Sequence, residues 1–362
     1  MKRIILLPAF ILSVVLAFGQ GVNFEKLSFK EALTKAKAEK KYLFIDCYTS
    51  WCGPCKQMRE QILTQPAAGS YFNPLFISVE YDMEKEGAEL RKKFDIKAYP
   101  TYLILNPDGT LYHKLVGSSL NAEDFVTKVK RGMITENSFG YQENLHASGR
   151  MNNEQLKNYY FLLKETAERK RSMEVLKELT ARLSKEERMQ ADYWFLLENQ
   201  KYGNDGFSFV LENLDTFKKN VGELNIDLFL YQCFSGIINS YTNALAKGES
   251  IDKKKTTDSI RDLRRQLSTI DMKNKTGLLE QLDFLEATLL NDTDKMLRAI
   301  ETMMTSGQGN LYILPQVLQI VHQNKNETLL SGIKKLKNKI LTAFSTASDK
   351  EKFGKMIDDL DK

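Results

Sequence analysis

Two cysteines three positions apart are the residues in this chain best suited to chemistry. Residues 51–56 read WCGPCK and follow an apolar run at 42–45. This order predicts a buried strand that turns into a helix, whose first N–H groups lack partners and stabilise a thiolate. We therefore expect Cys52 to be an exposed nucleophile that attacks disulfides, and Cys55, one turn later and facing inward, to reach back to it. Pro54 suits the first helical turn, since it has no N–H to lose.

A close cysteine pair is compatible with redox exchange, half of a metal site or a structural disulfide. Zinc needs about four ligands, but the three histidines, at 113, 146 and 322, are far from the pair in sequence and are not spaced as ligands. The Gly-Pro dipeptide and the following helix favour redox exchange, and we expect no metal and no cofactor. Cys47 and Cys233 are predicted to be inert core thiols; Cys233 is a third redox thiol only if it lies near the pair.

A second motif supports the redox interpretation. Residues 99–101 read YPT, and a strand at 102–105 and the turn NPDG at 106–109 follow. Together with residues 44–56, this pattern resembles the active-site segment, the cis-proline segment and the closing hairpin of the thioredoxin-like superfamily. The similarity covers residues 24–133 and leaves the larger C-terminal part unexplained.

The resemblance implies roles for particular residues. Asp46 matches the buried carboxylate of thioredoxins; burial raises the pKa of such a group, so it could take the proton of Cys55 through water. The alternative is an ordinary buried aspartate bonded to backbone groups. Many thioredoxins carry a lysine on the next strand, where Ser78 stands here. We therefore expect Asp46 to experience less positive charge than in those proteins.

Pro100 resembles the family's cis-proline, which turns the backbone of the preceding residue toward an extended client peptide. The alternative is a trans proline in a turn. Tyr99 stands where many thioredoxins have an aliphatic residue, so client preference is expected to differ. The residues expected to bind the client surround this segment and the cysteines: Trp51, Gly53, Pro54, Tyr99, Pro100 and Thr101.

The elements around these motifs follow an α/β order. A capping box at Ser28 and Glu31 opens a helix to about residue 40. The patterns then predict a strand at 42–48, a helix at 53–63, a strand at 75–81, a helix at 86–94, the hairpin, and a last helix capped by Asn121. This is the thioredoxin-like α/β sandwich, with a parallel core and an antiparallel edge.

The sequence changes character after residue 133. Only one of the seven prolines, Pro315, lies beyond that point. We predict a thioredoxin-like domain at 20–133, a linker at 134–150 and an all-helical, repeat-like domain at 151–362. Ten amphipathic stretches, among them 185–200 and 207–219, favour a TPR-like or other α-solenoid arrangement. Self-association through this domain is possible.

Charge and the first residues bear on location and partners. The formal net charge of +5 gives no reason to invoke nucleic acid. Residues 1–19 have a positive start, an apolar stretch and a small-x-small site, which predicts a secretory signal peptide and a periplasmic protein. The alternatives are secretion, or a membrane tether formed by an uncleaved signal.

These features predict an exported thiol–disulfide oxidoreductase that reduces client proteins through Cys52 and Cys55. Its other expected partner is a membrane-bound or soluble electron donor. Two alternatives remain: a helical-repeat scaffold with a thioredoxin-like docking module, and a disulfide isomerase. The sequence does not define the client or the net redox direction, because direction depends on the reduction potential of the compartment.

Overall fold

The chain folds into two compact units that divide between Leu183 and Ser184. The structure is a computed structural model, and it describes residues 21–307 and 310–362. The predicted signal peptide at 1–19 lies outside the described residues. Within the described ranges, none of the helices combines the length and apolar character needed to cross a membrane.

The first unit is built around a four-stranded sheet in the order β2-β1-β3-β4. β1 is parallel to β2 and antiparallel to β3, and β4 is antiparallel to β3. The antiparallel part therefore extends further than the predicted edge hairpin. The elements that form and cover the sheet are α1 (Phe29–Glu39), β1 (Tyr42–Tyr48), α2 (Gly53–Gln57), α3 (Pro66–Leu75), β2 (Phe76–Asp82), α4 (Ala88–Lys93), β3 (Thr101–Leu105), β4 (Leu111–Val116) and α5 (Ala122–Met133).

Both faces of the sheet are buried because side chains along β1 alternate between two clusters. Leu43, Ile45 and Cys47 pack with the core that includes α1 and α4. Phe44 packs on the opposite face, against Phe72 of α3, with ring centroids 4.7 Å apart. A central strand covered on both faces reads as a nearly continuous apolar run, which is why β1 was predictable from its sequence.

Local signals predicted the helix starts well. Ser28 and Glu31 form the expected capping box, and the Asn121 side chain accepts the Asp124 N–H at the start of α5. The predicted single helix at 53–63 is wrong in its second half, because the chain continues after α2 as a π-helix, Met58–Ile62. The sequence analysis also missed α3, a helix that contains two prolines and a glycine.

The prediction of a linker at 134–150 is wrong. A 3₁₀ turn at Thr135–Asn137 leads into α6 (Phe139–Ala147). The helix packs on β4: the Phe139 N–H donates to Nδ1 of His113 at 3.2 Å. Its backbone comes so close that a Cβ on Gly140 would lie 2.4 Å from the carbonyl oxygen of Leu111. Polar residues and glycine in this segment therefore serve close packing rather than flexibility.

Two further helices, α7 (Asn153–Glu165) and α8 (Arg169–Arg182), complete the first unit. They pack against each other as a helical hairpin. Glu168, at the start of α8, forms an ion pair of 2.7 Å with Lys114 of β4, and both side chains are buried. The compact unit therefore ends near residue 183, fifty residues beyond the predicted domain boundary at 133.

The second unit is all-helical with its own apolar core, as predicted. The repeat architecture itself stays a prediction. Besides 3₁₀ turns at Ala191–Leu196 and Asn310–Ile313, its helices are α9 (Lys185–Arg188), α10 (Asp205–Glu212), α11 (Leu214–Val221), α12 (Glu223–Ala246), α13 (Lys253–Thr269), α14 (Lys275–Leu289), α15 (Thr293–Thr305), α16 (Leu314–Asn324), α17 (Glu327–Thr342) and α18 (Ala347–Asp358).

Two predicted helices of this unit are interrupted. The stretch 185–200 is helical only to Arg188 and then continues as the 3₁₀ turn, where Trp194 packs against Phe217 and Phe229. The stretch 207–219 breaks at Asn213, whose side-chain amide donates to the Phe209 carbonyl at 2.8 Å. Asparagine competes with the helical backbone in this way, so the amphipathic pattern runs on while the helix stops.

The packing of α6 makes a testable prediction. Gly140→Ala should destabilise the first unit by about 1–3 kcal/mol, the usual cost of overpacking, because its Cβ meets a backbone oxygen that cannot rotate away. Hydrogen exchange of the full chain should show loss of protection in α6 and β4. Gly236→Ala is the control: its Cβ meets open space in α12, so helix propensity should make it stabilising by about 1 kcal/mol. Unchanged protection in Gly140→Ala would restore the linker interpretation.

Candidate active site

The site lies where the chain passes from the end of β1 into the first turn of α2. Cys52 is the N-cap of this helix, and its sulfur accepts the N–H of Cys55 at 3.1 Å. Pro54 occupies the first turn, as the sequence predicted. The two cysteines are joined as a disulfide. The sequence therefore placed the pair correctly at a helix N-terminus, where backbone donors and the helix dipole favour negative charge on sulfur.

The expected exposure of Cys52 is wrong for this disulfide form. Cys52 is 3 % exposed and Cys55 is 1 % exposed. Trp51, by contrast, is 66 % exposed and stands at the rim of the site. Its ring meets Tyr99 edge-on at 6.0 Å, and its indole N–H donates to Glu84 at 3.1 Å. An aromatic rim thus surrounds a pair of sulfurs that is largely shielded from solvent.

The segment at 99–101 has the geometry expected for it. The Tyr99–Pro100 peptide bond is cis, which confirms the prediction. The carbonyl of Pro100 accepts the N–H of Gly117 at 2.9 Å, and the Thr101 hydroxyl donates to the carbonyl of Ala98 at 2.7 Å. These bonds hold the segment against the loop that follows β4 on one side and against its own preceding loop on the other.

A residue that the sequence analysis missed lies in the loop after β4. Leu120 is 93 % exposed, although it is large and apolar. The neighbouring Ser119 N–H contacts the sulfur of Met58 at 3.2 Å, in the π-helix that follows α2. Because Gly117 of the same loop bonds Pro100, this loop touches both the cis-proline segment and the helix of the cysteines. The exposure of Leu120 could not have been predicted from sequence, because it depends on the position of this loop in the folded chain.

Asp46 is fully buried in β1, in register with Glu80 of β2 and Tyr102 of β3. Among the described residues, neither of its carboxylate oxygens has a hydrogen-bond partner, so the alternative of an aspartate bonded to backbone groups is not observed. Burial raises its pKa to about 7; the positive charge of Arg59 opposes this rise and the negative charge of Glu80 adds to it. A carboxyl group with this pKa exchanges its proton near neutrality.

The charges around Asp46 differ from those that the sequence analysis expected. Ser78 is in register with Phe44, and it is Glu80 that faces Asp46 across the strands. The cation comes instead from the π-helix: Arg59 lies 4.1 Å over the ring of Tyr48 and 3.4 Å from a carboxylate oxygen of Glu80. A cation thus acts on Asp46 together with the opposing charge of Glu80, and the expectation that Asp46 experiences less positive charge than in thioredoxins with a lysine on the next strand stays a prediction. Nothing in the sequence indicated that Arg59 lies near Asp46, because the π-helix that carries Arg59 brings it next to the strands.

The remaining cysteines have the character of core thiols. Cys47 is fully buried, and burial raises its pKa well above the usual value. In the second unit, the Cys233 thiol donates to the carbonyl of Gln200 at 3.3 Å, and burial raises its pKa to about 11. Both thiols therefore stay protonated at neutral pH and are poor nucleophiles.

The histidines take part in packing. His113 is buried, which lowers its pKa to about 4 and keeps it neutral. His146 contacts Glu178 at 2.9 Å, and His322 contacts the Leu360 carbonyl at 2.7 Å. In the part of the chain that the structure describes, no three histidine, cysteine or acidic side chains are grouped as metal ligands would be.

Comparison with known proteins identifies part of the first unit, residues 29–132. A family model described as a thioredoxin-like domain matches residues 29–132. A thioredoxin H-type from Oryza sativa subsp. indica is 36 % identical over 93 residues, which are 26 % of this chain and 71 % of the relative. Thioredoxin AMT13 from Alternaria alternata is 30 % identical over 103 residues, 28 % of this chain and 82 % of the relative.

The chain is also similar to a solved structure. A candidate disulphide-isomerase from Bacteroides thetaiotaomicron is 44 % identical, and the similarity covers 33 % of this chain and 98 % of that one, with a TM-score of 0.30. The family match stops at residue 132, and the helical C-terminal region is not recognised. Through the domain at residues 29–132, which carries a joined cysteine pair at a helix N-terminus and a cis-proline, the chain belongs to the thioredoxin family.

Proposed function

We propose that this protein is an exported thiol–disulfide oxidoreductase that reduces disulfides in client proteins through Cys52 and Cys55. The observation that carries the proposal is the N–H of Cys55, which donates to the sulfur of Cys52 at the start of α2. In the reduced protein, a donor in this position would favour negative charge on the Cys52 sulfur, which is the form that attacks disulfides. Thiol–disulfide chemistry of the family agrees with this geometry.

The reaction proceeds in two exchanges. The Cys52 thiolate attacks one sulfur of the client disulfide, forms a mixed disulfide and releases the other client sulfur as a thiolate. Cys55 then loses its proton and attacks the sulfur of Cys52, which releases the second client thiolate. Two electrons pass from the protein to the client, the released thiolates take up two protons, and Cys52 and Cys55 end as the disulfide that the structure contains.

Asp46 is the proposed acceptor of the Cys55 proton. It lies on the strand that leads into the cysteine helix, and its pKa of about 7 lets it hold a proton during the second exchange and release it afterwards. No protein hydrogen bond occupies its carboxylate oxygens among the described residues, which leaves both of them free to bind a proton or a water molecule.

The client would bind along the rim formed by Trp51, Tyr99, Pro100 and Leu120. Two of these side chains are largely exposed and apolar or aromatic, which suits the side chains around a client disulfide. An extended client segment would pair with the backbone beside the cis-proline as an added strand. Gly53 and Pro54 are exposed beside Cys52 and would contact the client, whereas Thr101 is fully buried and would support the cis-proline segment from within.

Location and electron supply complete the proposal. The pattern at residues 1–19 supports export to the periplasm, where client disulfides form. A membrane-bound or soluble donor would return the Cys52–Cys55 disulfide to the dithiol after each cycle. The helical unit at 184–362 would serve client or partner binding, including self-association.

The cysteines can be tested separately. Wild-type protein should catalyse the reduction of insulin by dithiothreitol, and Cys52→Ser should show no activity above background because it lacks the nucleophile. Cys55→Ser should form mixed disulfides that it cannot resolve, detectable as client adducts on non-reducing gels of the cell envelope. Cys233→Ser is the matched control and should keep full activity. Equal turnover in Cys52→Ser and wild type would favour the scaffold alternative, and refolding of scrambled substrate would favour an isomerase.

The role of Asp46 makes the second exchange pH-dependent. Its rate should rise as the pH increases through about 7, where the carboxyl group becomes a base. Asp46→Asn should remove this inflection and slow the exchange by about 100-fold or more above it. Client reduction at saturating client concentration, measured across the neutral range, provides the check. A persisting inflection near 7 in Asp46→Asn would assign the proton transfer to another group.

Stability should respond to the same group with a defined sign. The pKa of Asp46 is higher in the folded protein than its usual 3.8, so its contribution to stability is greatest below about pH 4 and is lost as the pH rises through about 7. Asp46→Asn should therefore raise the free energy of unfolding above pH 7, by up to about 4 kcal/mol, and gain little in acid. The free energy of unfolding in urea, measured for wild type and Asp46→Asn below about pH 4 and above about pH 7, checks this prediction.

The charges beside Asp46 should shift its pKa in opposite directions. Glu80→Gln removes a negative charge and should lower it; Arg59→Gln removes a positive charge and should raise it. In the double variant the pKa of Asp46 should lie between those of the two single variants, because the two effects have opposite signs. The inflection in the rate of the second exchange, or the carboxyl signal of Asp46 in NMR, reports the shift. Glu60→Gln is the control, because Glu60 is exposed and next to Arg59 in sequence. If Glu60→Gln shifted the pKa of Asp46 as much as Glu80→Gln does, the effect would be due to net charge alone.

A further inference from the structure

The helical hairpin α7–α8 reaches the segment that carries the cis-proline. Glu168, at the start of α8, has a side chain that is 5 % exposed. One of its carboxylate oxygens lies 2.7 Å from Nζ of Lys114 in β4, and the other lies 3.1 Å from Nζ of Lys97. Lys97 stands three residues before Pro100, so a residue outside the matched family domain holds the loop that leads to the proposed client-binding segment.

The arrangement is fixed from both sides. The backbone of Glu168 is held by its N–H, which donates to the Leu163 carbonyl, and by its carbonyl, which accepts the Ser172 N–H, both at 2.8 Å. On the loop, Lys97 also pairs with Asp95 at 2.6 Å. Nζ of Lys114 is 3.4 Å from the carbonyl oxygen of Asp95. The loop is thus held at two points that converge on one carboxylate.

A buried carboxylate demands such partners. Removing a charged group from water costs more than a single exposed ion pair returns, so buried Glu168 depends on the buried Lys114 cation and is stabilised further by Lys97. Lys114 is itself buried and supplies the inner cation, while Lys97 is partly exposed and closes the site from the loop. Motion of the loop away from the sheet would separate Lys97 from a buried negative charge, which makes that motion unfavourable.

The loop connects this anchor to the client surface over a short distance in sequence. Lys97 is followed by Ala98, whose carbonyl accepts the Thr101 hydroxyl, and by Tyr99, whose ring meets Trp51. The backbone that an extended client would pair with begins at Tyr99. Holding the loop therefore fixes the direction in which this backbone presents its hydrogen-bonding groups before a client arrives, which lowers the entropy cost of binding.

We infer that Glu168 is a positioning residue for client recognition: through Lys97 and Lys114 it holds the cis-proline loop in the conformation that binds an extended polypeptide disulfide. The inference rests on the proposed function and deepens it, because it assigns the hairpin α7–α8 a part in substrate choice. A protein or peptide disulfide needs the ordered loop on both sides of its cysteine. A small disulfide, which has no chain to pair with the loop, does not.

The test compares two substrates in variants of the full chain. Lys97→Met keeps the buried Lys114–Glu168 pair and removes only the link to the loop. It should raise KM for insulin about 5-fold, the scale of one partly exposed ion pair to a buried group, with kcat unchanged. Its reaction with a small aromatic disulfide should equal that of wild type. Lys97→Arg, which retains the cation, should restore the KM.

Glu168→Gln is the second variant, with a matched control. It should raise KM for insulin at least as much as Lys97→Met and should increase hydrogen exchange at residues 97–101. If loss of the buried charge prevents folding, the comparison of Lys97→Met with Lys97→Arg still tests the inference. Glu165→Gln is the control, since Glu165 joins the same hairpin to Arg131 of α5 by an exposed ion pair of 2.8 Å, away from the loop. It should leave both substrates unaffected.

The outcomes separate this inference from the function on which it rests. An unchanged KM for insulin in Lys97→Met, on a background of active wild type, overturns the inference and leaves the proposed function intact. An equal loss with insulin and with the small disulfide also overturns it, because the defect would then lie in the thiol chemistry. A wild-type protein that reduces neither substrate overturns the proposed function and the inference together.

Discussion

The hydrogen bond from the Cys55 N–H to the Cys52 sulfur is the interaction on which the chemistry of this protein depends. It exists because β1 ends four residues before Cys52 and the chain turns at once into α2, so that the unpaired donors of the first turn face the sulfur. β1 leads to this junction from a sheet covered on both faces, and both cysteines are largely shielded from solvent.

The same burial makes a charged side chain near the cysteines unfavourable, and this affects Asp46. Asp46 lies in the middle of a sheet covered on both faces, where a carboxylate is costly without partners. Its charged form is stabilised by Arg59 and opposed by Glu80, and burial has the largest influence on its pKa. The result is a carboxyl group whose pKa of about 7 is set mainly by burial, and therefore by the packing of the sheet.

How much could be predicted from sequence depended on whether a feature is local. The capping box at Ser28, the Asn121 cap and the proline in the first turn of α2 were predictable, because each is determined by residues within one turn. The cis bond at Pro100 was expected only from the resemblance of residues 99–101 to the thioredoxin-like superfamily. Arg59 was not predictable, since its place beside Glu80 results from a π-helix that shifts the register of the side chains after Met58.

The domain boundary shows the same limit on a larger scale. Residues 134–150 have the composition of a linker, yet α6 packs on β4 because Gly140 allows the two backbones to approach. Lys114 was the residue that could have indicated a larger folded unit. It pairs with Leu103 across β3 and β4, on a face of the sheet that is otherwise apolar. A buried ammonium group requires a carboxylate, and the first unit supplies it from Glu168, thirty-five residues beyond the domain predicted to end at 133.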